Sequence, residues 1–361
     1  MSRPARARLS ASALRHNFNR VRELAPESKI MAVVKANGYG HGLSWVGKVL
    51  AQAGAFGVAS VEEGAELRAA GITQPICLLE GFFHGSELPL LAQHHLSSVV
   101  HHESQVWDLE HAKELEPIDV WLKVDTGMHR IGFSPHQAVA MANRLRESRA
   151  VGVLRLLSHF ANADNKFDAT TGFQIRRFNE IASAVGGERS IANSAGVVAW
   201  PHSRLEWVRP GIMLYGSTPM IGQTALDIRL RPVMTLESEI IAVNLRRKGE
   251  AIGYGGDWVC PEDMLVGVVA IGYGDGYPRH APAGTPLLIN GKRAALIGRV
   301  SMDMITVDLR TQPDAKIGDP VVLWGEGLPV DEIAARSGTI GYELLCCVTA
   351  RVPRIEVAAE A

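Results

Sequence analysis

Eight short apolar runs, each followed by a stretch of helical composition, alternate along the first two thirds of the chain. Continuous apolar strands that alternate with helices predict a parallel sheet covered by helices. Eight such units within about 220 residues fit a closed (β/α)8 barrel of the TIM type. The runs are residues 29–35, 55–60, 76–80, 98–101, 120–125, 154–159, 190–193 and 205–215.

A doubly wound open sheet is the alternative to this barrel. Such sheets usually carry a glycine-rich phosphate turn after the first strand, and no GxGxxG motif opens a helix here. Residues 13–24 have an amphipathic helical pattern, with Ser10 or Ser12 as the predicted N-cap. The remaining predicted helices are residues 43–53, 61–70, 86–95, 103–114, 135–147 and 171–184.

The pattern changes near Arg229. From Pro232 onward, short alternating segments are separated by glycine and proline turns, and only residues 330–337 have a helical pattern. We therefore predict a fold of class α/β plus all-β, with a barrel at residues 10–228 and a C-terminal β domain at 229–361. Residues 1–9 contain an alternating strand that we assign to the second domain.

Composition excludes several classes of protein. Lys plus Arg number 37 and Asp plus Glu 38, so the net charge is close to zero. It gives no indication of binding to nucleic acid or to an anionic membrane. No apolar run approaches the roughly 18 residues of a membrane span. Four scattered cysteines form no CxxC motif, and HExxH is absent, so we expect no metal site. Without the apolar core of a signal peptide, a cytoplasmic enzyme is expected.

Polar side chains close several of the predicted barrel strands, where enzymes of this architecture place their active sites. Lys35 ends the first run and can supply an amine nucleophile, as a Schiff base requires. A lysine that only reaches solvent, or a histidine satisfied within the core, is the structural alternative at each position. Several charged strand ends around one mouth favour function, because each buried charge costs free energy unless it is paired.

Two further patterns suggest ligand contacts. Ser194 together with the amides of Gly211 and Ile212 could hold a phosphate. In the β domain, glycines flank Tyr254 and Tyr273, which would expose both phenols. The alternative is that both segments are ordinary hairpin turns in which the tyrosine ring only fills space.

Residues 32–42 (AVVKANGYGHG) resemble the pyridoxal-phosphate attachment motif of the bacterial alanine racemase family. The resemblance extends along essentially the whole chain and covers both predicted domains. It implies pyridoxal 5′-phosphate as cofactor and a homodimer with two active sites shared at the subunit interface. The further matching motifs are residues 123–132, 158–160, 207–216, 233–236, 252–256, 272–279 and 298–303.

Racemisation removes a proton from one face of a carbon and returns it to the other, which calls for two bases. The resemblance implies that Lys35 is the Schiff-base lysine and one base, and that Tyr254 of the other subunit is the second. It places His159 against the pyridine ring and Arg209 at the pyridine nitrogen. The residues implied to hold the cofactor phosphate are Tyr39, Ser194, Gly211, Ile212 and Tyr342.

The family pattern also implies a substrate side. Arg130 would lie near the substrate carboxylate and the phenolic oxygen of the cofactor, and the backbone of Met302 from the other subunit would help to hold that carboxylate. Lys123 aligns with a lysine that is carbamylated in some members and positions Arg130. The other supporting residues are Asp303, beside Met302, and Tyr273 and Arg279, in the substrate access channel.

The resemblance therefore predicts an alanine racemase that interconverts L-alanine and D-alanine and supplies D-alanine for peptidoglycan. A broad-specificity amino-acid racemase and a pyridoxal-phosphate-dependent decarboxylase are the alternatives. A non-catalytic carrier of the same cofactor would be a single barrel, and residues 232–361 argue against it.

Overall fold

The computed structural model describes residues 3–357, which form a closed barrel of eight parallel strands and a separate eight-stranded sheet. Residues 1–2 and 358–361, at the two ends of the predicted β domain, lie outside the described part. The barrel strands run in sequence order around the closed sheet, so the predicted fold class is confirmed. These strands are β2 (Lys29–Val33), β3 (Ala55–Val58), β4 (Ile76–Leu78), β5 (Leu96–Val100), β6 (Ile118–Lys123), β7 (Val151–Leu157), β8 (Arg189–Ser190) and β9 (Trp207–Val208).

Each predicted run overlaps one barrel strand, but the last run was predicted too long. Strand β9 ends after Val208, and Pro210, which has no N–H to donate, follows within the apolar run. The remaining apolar residues, Ile212–Tyr215, form a short 3-10 turn instead. Apolarity alone therefore does not mark where this strand stops.

The first helix begins with a well-formed cap. The Ser10 hydroxyl accepts the N–H of Ala13 at 3.1 Å, which confirms Ser10 as the N-cap of the first helix. The helices are α1 (Ala11–Leu24), α2 (Lys35–Tyr39), α3 (Leu43–Val49), α4 (Val61–Ala69), α5 (Leu88–Gln93), α6 (Glu103–His111), α7 (Pro135–Glu147), α8 (Ala169–Val185), α9 (Ser194–Ala199), α10 (Val330–Arg336) and α11 (Gly341–Cys347).

The lower interior of the barrel is filled by a cluster to which most barrel strands contribute one side chain. Trp121 and Trp207 meet edge to face within it, with ring centroids 5.8 Å apart. This packing fills the barrel below its carboxyl-terminal mouth. The cluster consists of Met31, Ala55, Cys77, Val99, Trp121, Leu157 and Trp207.

The second sheet includes a strand from the start of the chain. Strand β1 (Arg6–Leu9) pairs antiparallel with β10 (Met234–Arg246) and parallel with β18 (Arg354–Glu356). The domain division at residue 229 stays a prediction. The other strands after the barrel are β11 (Ala251–Ile252), β12 (Trp258–Val259), β13 (Met264–Val269), β14 (Pro286–Ile289), β15 (Lys292–Ile297), β16 (Ile305–Asp308) and β17 (Pro320–Trp324).

The prediction that residues 330–337 are the one helical segment of this domain is wrong. A second helix, α11, follows and buries Leu344 and Leu345. It packs closely against the end of α2. The approach is so close that a Cβ placed on Gly40 would collide with the carbonyl oxygen of Leu345. Helix α11 is as short as α10, but its first residue, a glycine, and its last two, both cysteines, give it a lower helix propensity.

Within residues 3–357, no helix is both long enough and apolar enough to cross a bilayer.

Candidate active site

A cavity of about 740 Å³ opens at the carboxyl-terminal mouth of the barrel. It is lined by the ends of barrel strands, by the loops that follow them and by Tyr342 from α11. This is the edge at which the strand-end rule places a site. Of the residues singled out in the sequence, those that line the cavity are Lys35, Tyr39, Lys123, Arg130, His159, Ser194, Arg209, Gly211, Ile212 and Tyr342.

Lys35 begins an unusual turn directly after β2. Ala36, Asn37 and Gly38 have φ values of 54°, 54° and 60°, in the left-handed region. Each non-glycine residue in that region costs about 1–2 kcal/mol. The Glu63 carboxylate offsets part of this cost, because its Oε1 accepts the N–H of Ala36 at 2.8 Å and its Oε2 accepts that of Ala59 at 2.8 Å. The turn thus fixes the direction from which Lys35 enters the cavity.

Glu80 is the one carboxylate among the residues that line the described cavity. Its Oε1 lies 3.1 Å from Lys35 Nζ, while Lys123, Arg130 and Arg209 add further positive charge around the same space. Glu80 was not among the site residues predicted from the sequence. It ends the predicted run 76–80, so the rule that identified Lys35 could also have found it.

Arg209 is buried and is held by neutral partners. Its Nη1 donates to Ser190 Oγ at 2.6 Å, and its Nη2 donates to the carbonyl of Ser158 at 2.6 Å. Burial lowers the pKa of Arg209 to about 10, so the guanidinium stays protonated at neutral pH. A cation without a carboxylate partner can still donate to an acceptor in the cavity.

His159 is neutral in this setting. Burial, followed by the nearby charge of Arg209, lowers the pKa of His159 well below its usual value. Its Nδ1 lies 3.3 Å from Arg209 Nη2, at the distance of an accepted hydrogen bond. A neutral imidazole ring at the cavity wall is suited to pack against a planar heteroaromatic ligand.

One corner of the cavity collects neutral hydrogen-bond donors. The Ser194 hydroxyl accepts the N–H of Gly211 at 2.8 Å. A Cβ on Gly211 would collide with the Tyr39 hydroxyl, so glycine lets that hydroxyl approach the backbone. Burial raises the pKa of Tyr39 and of Tyr342 well above the usual value, so both phenols stay protonated and can donate. Hydroxyls and amides that converge in this way suit a phosphate.

Lys123 and Arg130 flank the loop after β6. Burial, followed by the charges of Arg209 and Arg130, lowers the pKa of Lys123 to about 7. The loop is shaped by Asp125, whose Oδ1 accepts the N–H of Gly127 at 2.9 Å. Lys123 therefore changes charge near neutral pH beside the base of the Arg130 loop.

The remaining predicted residues lie outside this cavity, on the sheet domain. Tyr254 is 68% exposed and Met302 is 53% exposed. Tyr273 and Arg279 are also exposed, and Asp303 is half-buried. None of the five lines the mouth cavity in the part of the chain that the structure describes. The second predicted base is thus not brought to Lys35 within one chain.

Among residues 3–357, no group of three or more His, Cys, Asp or Glu side chains is arranged to hold a metal ion.

Two family models match the chain and together cover nearly all of it. The model described as alanine racemase, N-terminal domain, matches residues 9–219. The model described as alanine racemase, C-terminal domain, matches residues 233–356.

Individual relatives agree with these matches. An alanine racemase of Nitrosococcus oceani is 55% identical over 347 residues, covering 96% of this chain and 97% of the relative. A biosynthetic alanine racemase of Escherichia coli O6:H1 is 51% identical over 346 residues, covering 95% and 96%. The crystal structure of the biosynthetic alanine racemase from Pseudomonas aeruginosa has a TM-score of 0.96 at 47% identity, covering 99% of this chain and 100% of that one.

Proposed function

Because the chain belongs to the alanine racemase family, we propose that it carries out its reaction in the barrel mouth with pyridoxal 5′-phosphate and two bases. The activity is the interconversion of L-alanine and D-alanine. Relatives that are 49% and 55% identical to this chain are named alanine racemases. A broad-specificity racemase and a decarboxylase are therefore not supported. The observation that carries the proposal is the convergence of an amine, a donor-rich corner and a buried cation in one cavity.

The donor set fits pyridoxal phosphate. Tyr39, Ser194, Gly211, Ile212 and Tyr342 offer neutral donors to a phosphate at one corner, and the amine of Lys35 opens into the same cavity. When bound, this cofactor supplies an aldehyde for the amine and an electron sink for the pair left at Cα. Lys35 is therefore proposed as its attachment point.

Arg209 and His159 orient the ring. The guanidinium keeps its proton because its pKa stays at about 10, so it donates a hydrogen bond to a pyridine nitrogen without protonating it. His159, neutral and 3.3 Å from Arg209, would pack on the ring of the bound cofactor. By leaving the pyridine nitrogen unprotonated, Arg209 would disfavour side reactions such as transamination.

Two bases are proposed because a single fixed base would return the proton to the face it came from. Lys35 serves one face of the substrate Cα. Tyr254 is exposed on the sheet domain, outside the described mouth cavity of its own chain, which supports its acting in the site of a second copy. The proposed assembly is a homodimer with two shared sites.

The substrate carboxylate is proposed to bind between Arg130 and the backbone of Met302 from the second copy. Lys123 is proposed to position Arg130. Above pH 7 its amine is largely neutral and can take up carbon dioxide as a carbamate. Asp303 would support Met302, and Tyr273 and Arg279 would line the access channel.

We further propose that the enzyme acts in the cytoplasm and supplies D-alanine for peptidoglycan. The biosynthetic relatives of Escherichia coli and Pseudomonas aeruginosa support this role. A catabolic enzyme would use the same residues, so the role is tested in cells. Deletion of the gene should make growth depend on added D-alanine, and unaltered growth would contradict the biosynthetic role.

Incubation of the cofactor-loaded protein with L-alanine in deuterated water tests the chemistry directly. We expect D-alanine that carries deuterium at Cα, and no such product from the Lys35→Ala variant. Deuterated L-alanine without D-alanine would mean exchange on one face and would contradict the two-base proposal. Release of carbon dioxide from amino acids would instead indicate a decarboxylase.

A further inference from the structure

Two loops of the sheet domain carry four of the residues assigned to the substrate side, Tyr273, Arg279, Met302 and Asp303, and they are joined through their backbones. The first spans residues 272–279 and the second residues 301–304. The N–H of Tyr273 donates to the carbonyl of Ser301 at 3.0 Å, and the N–H of Gly274 donates to the carbonyl of Met302 at 2.9 Å. These two hydrogen bonds therefore fasten the first loop to the second at Ser301 and Met302.

A fully buried carboxylate, Asp275, lies at the centre of this unit. Its Oδ2 accepts the N–H of Gly272 at 2.9 Å. Two arginines from distant parts of the chain neutralise it: Arg3 Nη2 lies 2.7 Å from Oδ2, and Arg351 Nε lies 3.0 Å from Oδ1. A buried carboxylate without such partners would be strongly unfavourable, so the two arginines stabilise this loop conformation.

Both arginines also reach the second loop. Arg3 Nη2 donates to the backbone carbonyl of Asp303 at 2.8 Å, and Arg351 Nη2 donates to its side-chain Oδ1 at 2.6 Å. Arg3 thus binds a side chain in one loop and the backbone of the other. It precedes β1, the strand that fastens the start of the chain to this sheet.

We propose that Arg3 is a positioning residue for substrate binding, which fixes the backbone at Met302 by joining Asp275 to the carbonyl of Asp303. This rests on the proposed function, because it is there that Met302 is assigned to the substrate carboxylate of the second copy's site. Arg3 therefore acts on the active site whose Lys35 belongs to the other chain. If Arg3 only stabilised the fold of its own chain, its loss from one chain would weaken both sites of a dimer alike.

The first test is steady-state kinetics of Arg3→Gln in the cofactor-loaded enzyme. We expect the KM for alanine to rise about tenfold with a smaller change in kcat, because a displaced carboxylate contact weakens binding before chemistry. The matched control is Arg6→Gln, since Arg6 lies in the same segment and pairs with the buried Glu237 instead of the two loops. Arg3→Lys keeps a cation beside Asp275 and should recover part of the affinity. An unchanged KM in Arg3→Gln would overturn the proposal.

The second test uses mixed dimers that contain one working site. One chain carries Lys35→Ala and supplies the loops and Tyr254, and the other carries Tyr254→Phe and supplies Lys35. Arg3→Gln on the loop-supplying chain should raise the KM, whereas Arg3→Gln on the lysine-supplying chain should leave it unchanged. Equal effects in both arrangements would overturn the action across the interface.

The mixed dimer without any Arg3 substitution separates the two proposals. If it recovers no activity although subunit exchange is verified, the shared site is contradicted, and with it the action of Arg3 across the interface. The KM of the Arg3→Gln homodimer then still decides whether Arg3 positions the substrate.

Discussion

Lys123 is the residue whose charge is most affected by its surroundings at neutral pH. Burial lowers its pKa to about 7, whereas the pKa of a lysine in an unfolded chain is about 10.4. Between these values the unfolded chain binds more protons than the folded one, so the free energy of unfolding rises with pH across this window. The penalty for burying Lys123 is therefore complete at and below pH 7 and relieved toward pH 10.

Replacement of Lys123 by Met should remove this penalty. We expect Lys123→Met to raise the free energy of unfolding by a few kcal/mol at pH 7 and by less at pH 10. Each unit by which the pKa of Lys123 is lowered corresponds to about 1.4 kcal/mol. Denaturant unfolding in carbon-dioxide-free buffer at both pH values measures the difference. Lys48→Met, on the exposed face of α3, is the control and should show no such pH dependence. An equal gain at both pH values would contradict the argument.

Glu63 is a second residue whose role depends on contacts far along the chain. Its two oxygens accept the N–H groups of Ala36 and Ala59, so it joins the left-handed turn after Lys35 to the end of β3. No sequence pattern predicts this, because Glu63 lies in an ordinary helical first turn. Lys35 itself was predictable because it closes an apolar run.

Loss of the Glu63 carboxylate should release the turn. We expect Glu63→Ala to cost about 1–3 kcal/mol in unfolding free energy, since the N–H groups of Ala36 and Ala59 lose a charged acceptor. It should also slow the gain of absorbance when Lys35 reacts with added cofactor. Glu62→Ala, on the exposed neighbouring position, is the control. Cofactor uptake at the wild-type rate in Glu63→Ala would show that the turn does not depend on this carboxylate.

At the scale of elements, the packing of α11 on α2 brings the two domains together at the active site. Gly40 has φ +79°, and a Cβ there would collide with the carbonyl of Leu345 in α11. The contact places Tyr342 beside Tyr39, with ring centroids 6.2 Å apart. The donor-rich corner thus depends on a close approach between a barrel turn and a helix of the second domain.

Gly40→Ala should therefore do more damage than the usual loss of a left-handed glycine. We expect a cost of about 3 kcal/mol or more in unfolding free energy, because collision adds to backbone strain. Gly71→Ala is the matched control, with φ +87° and no atom near the added Cβ, and should cost about 1 kcal/mol. Gly40→Ala should also weaken cofactor binding, measured by equilibrium titration. Equal costs for the two variants would mean that α11 yields to the added methyl group.

The elements differ in how far the sequence predicts them. The barrel strands are predictable because they are continuous apolar runs with turn residues at their ends, and Pro135–Glu147 is observed with the predicted bounds. Helix α11 was missed because it begins with a glycine and ends with two cysteines, residues of low helix propensity. Arg209 is held by Ser158 and Ser190, which the parallel pairing of β7, β8 and β9 brings together.

At the scale of the whole molecule, the two proposed bases lie on different surfaces of one chain. Lys35 lies in the barrel mouth, and Tyr254 lies on the sheet domain, exposed and outside the described cavity. A monomer would then hold an amine without the second base. The central claim is that two chains complete each other's sites.

Mixing the Lys35→Ala and Tyr254→Phe variants tests this claim most directly. Each homodimer lacks one base at both sites and should not racemise alanine. After subunit exchange, random pairing gives mixed dimers with one intact site, and we expect about a quarter of the wild-type rate of D-alanine formation. No recovery, with exchange verified by mass, would contradict the shared site and place both bases within one chain.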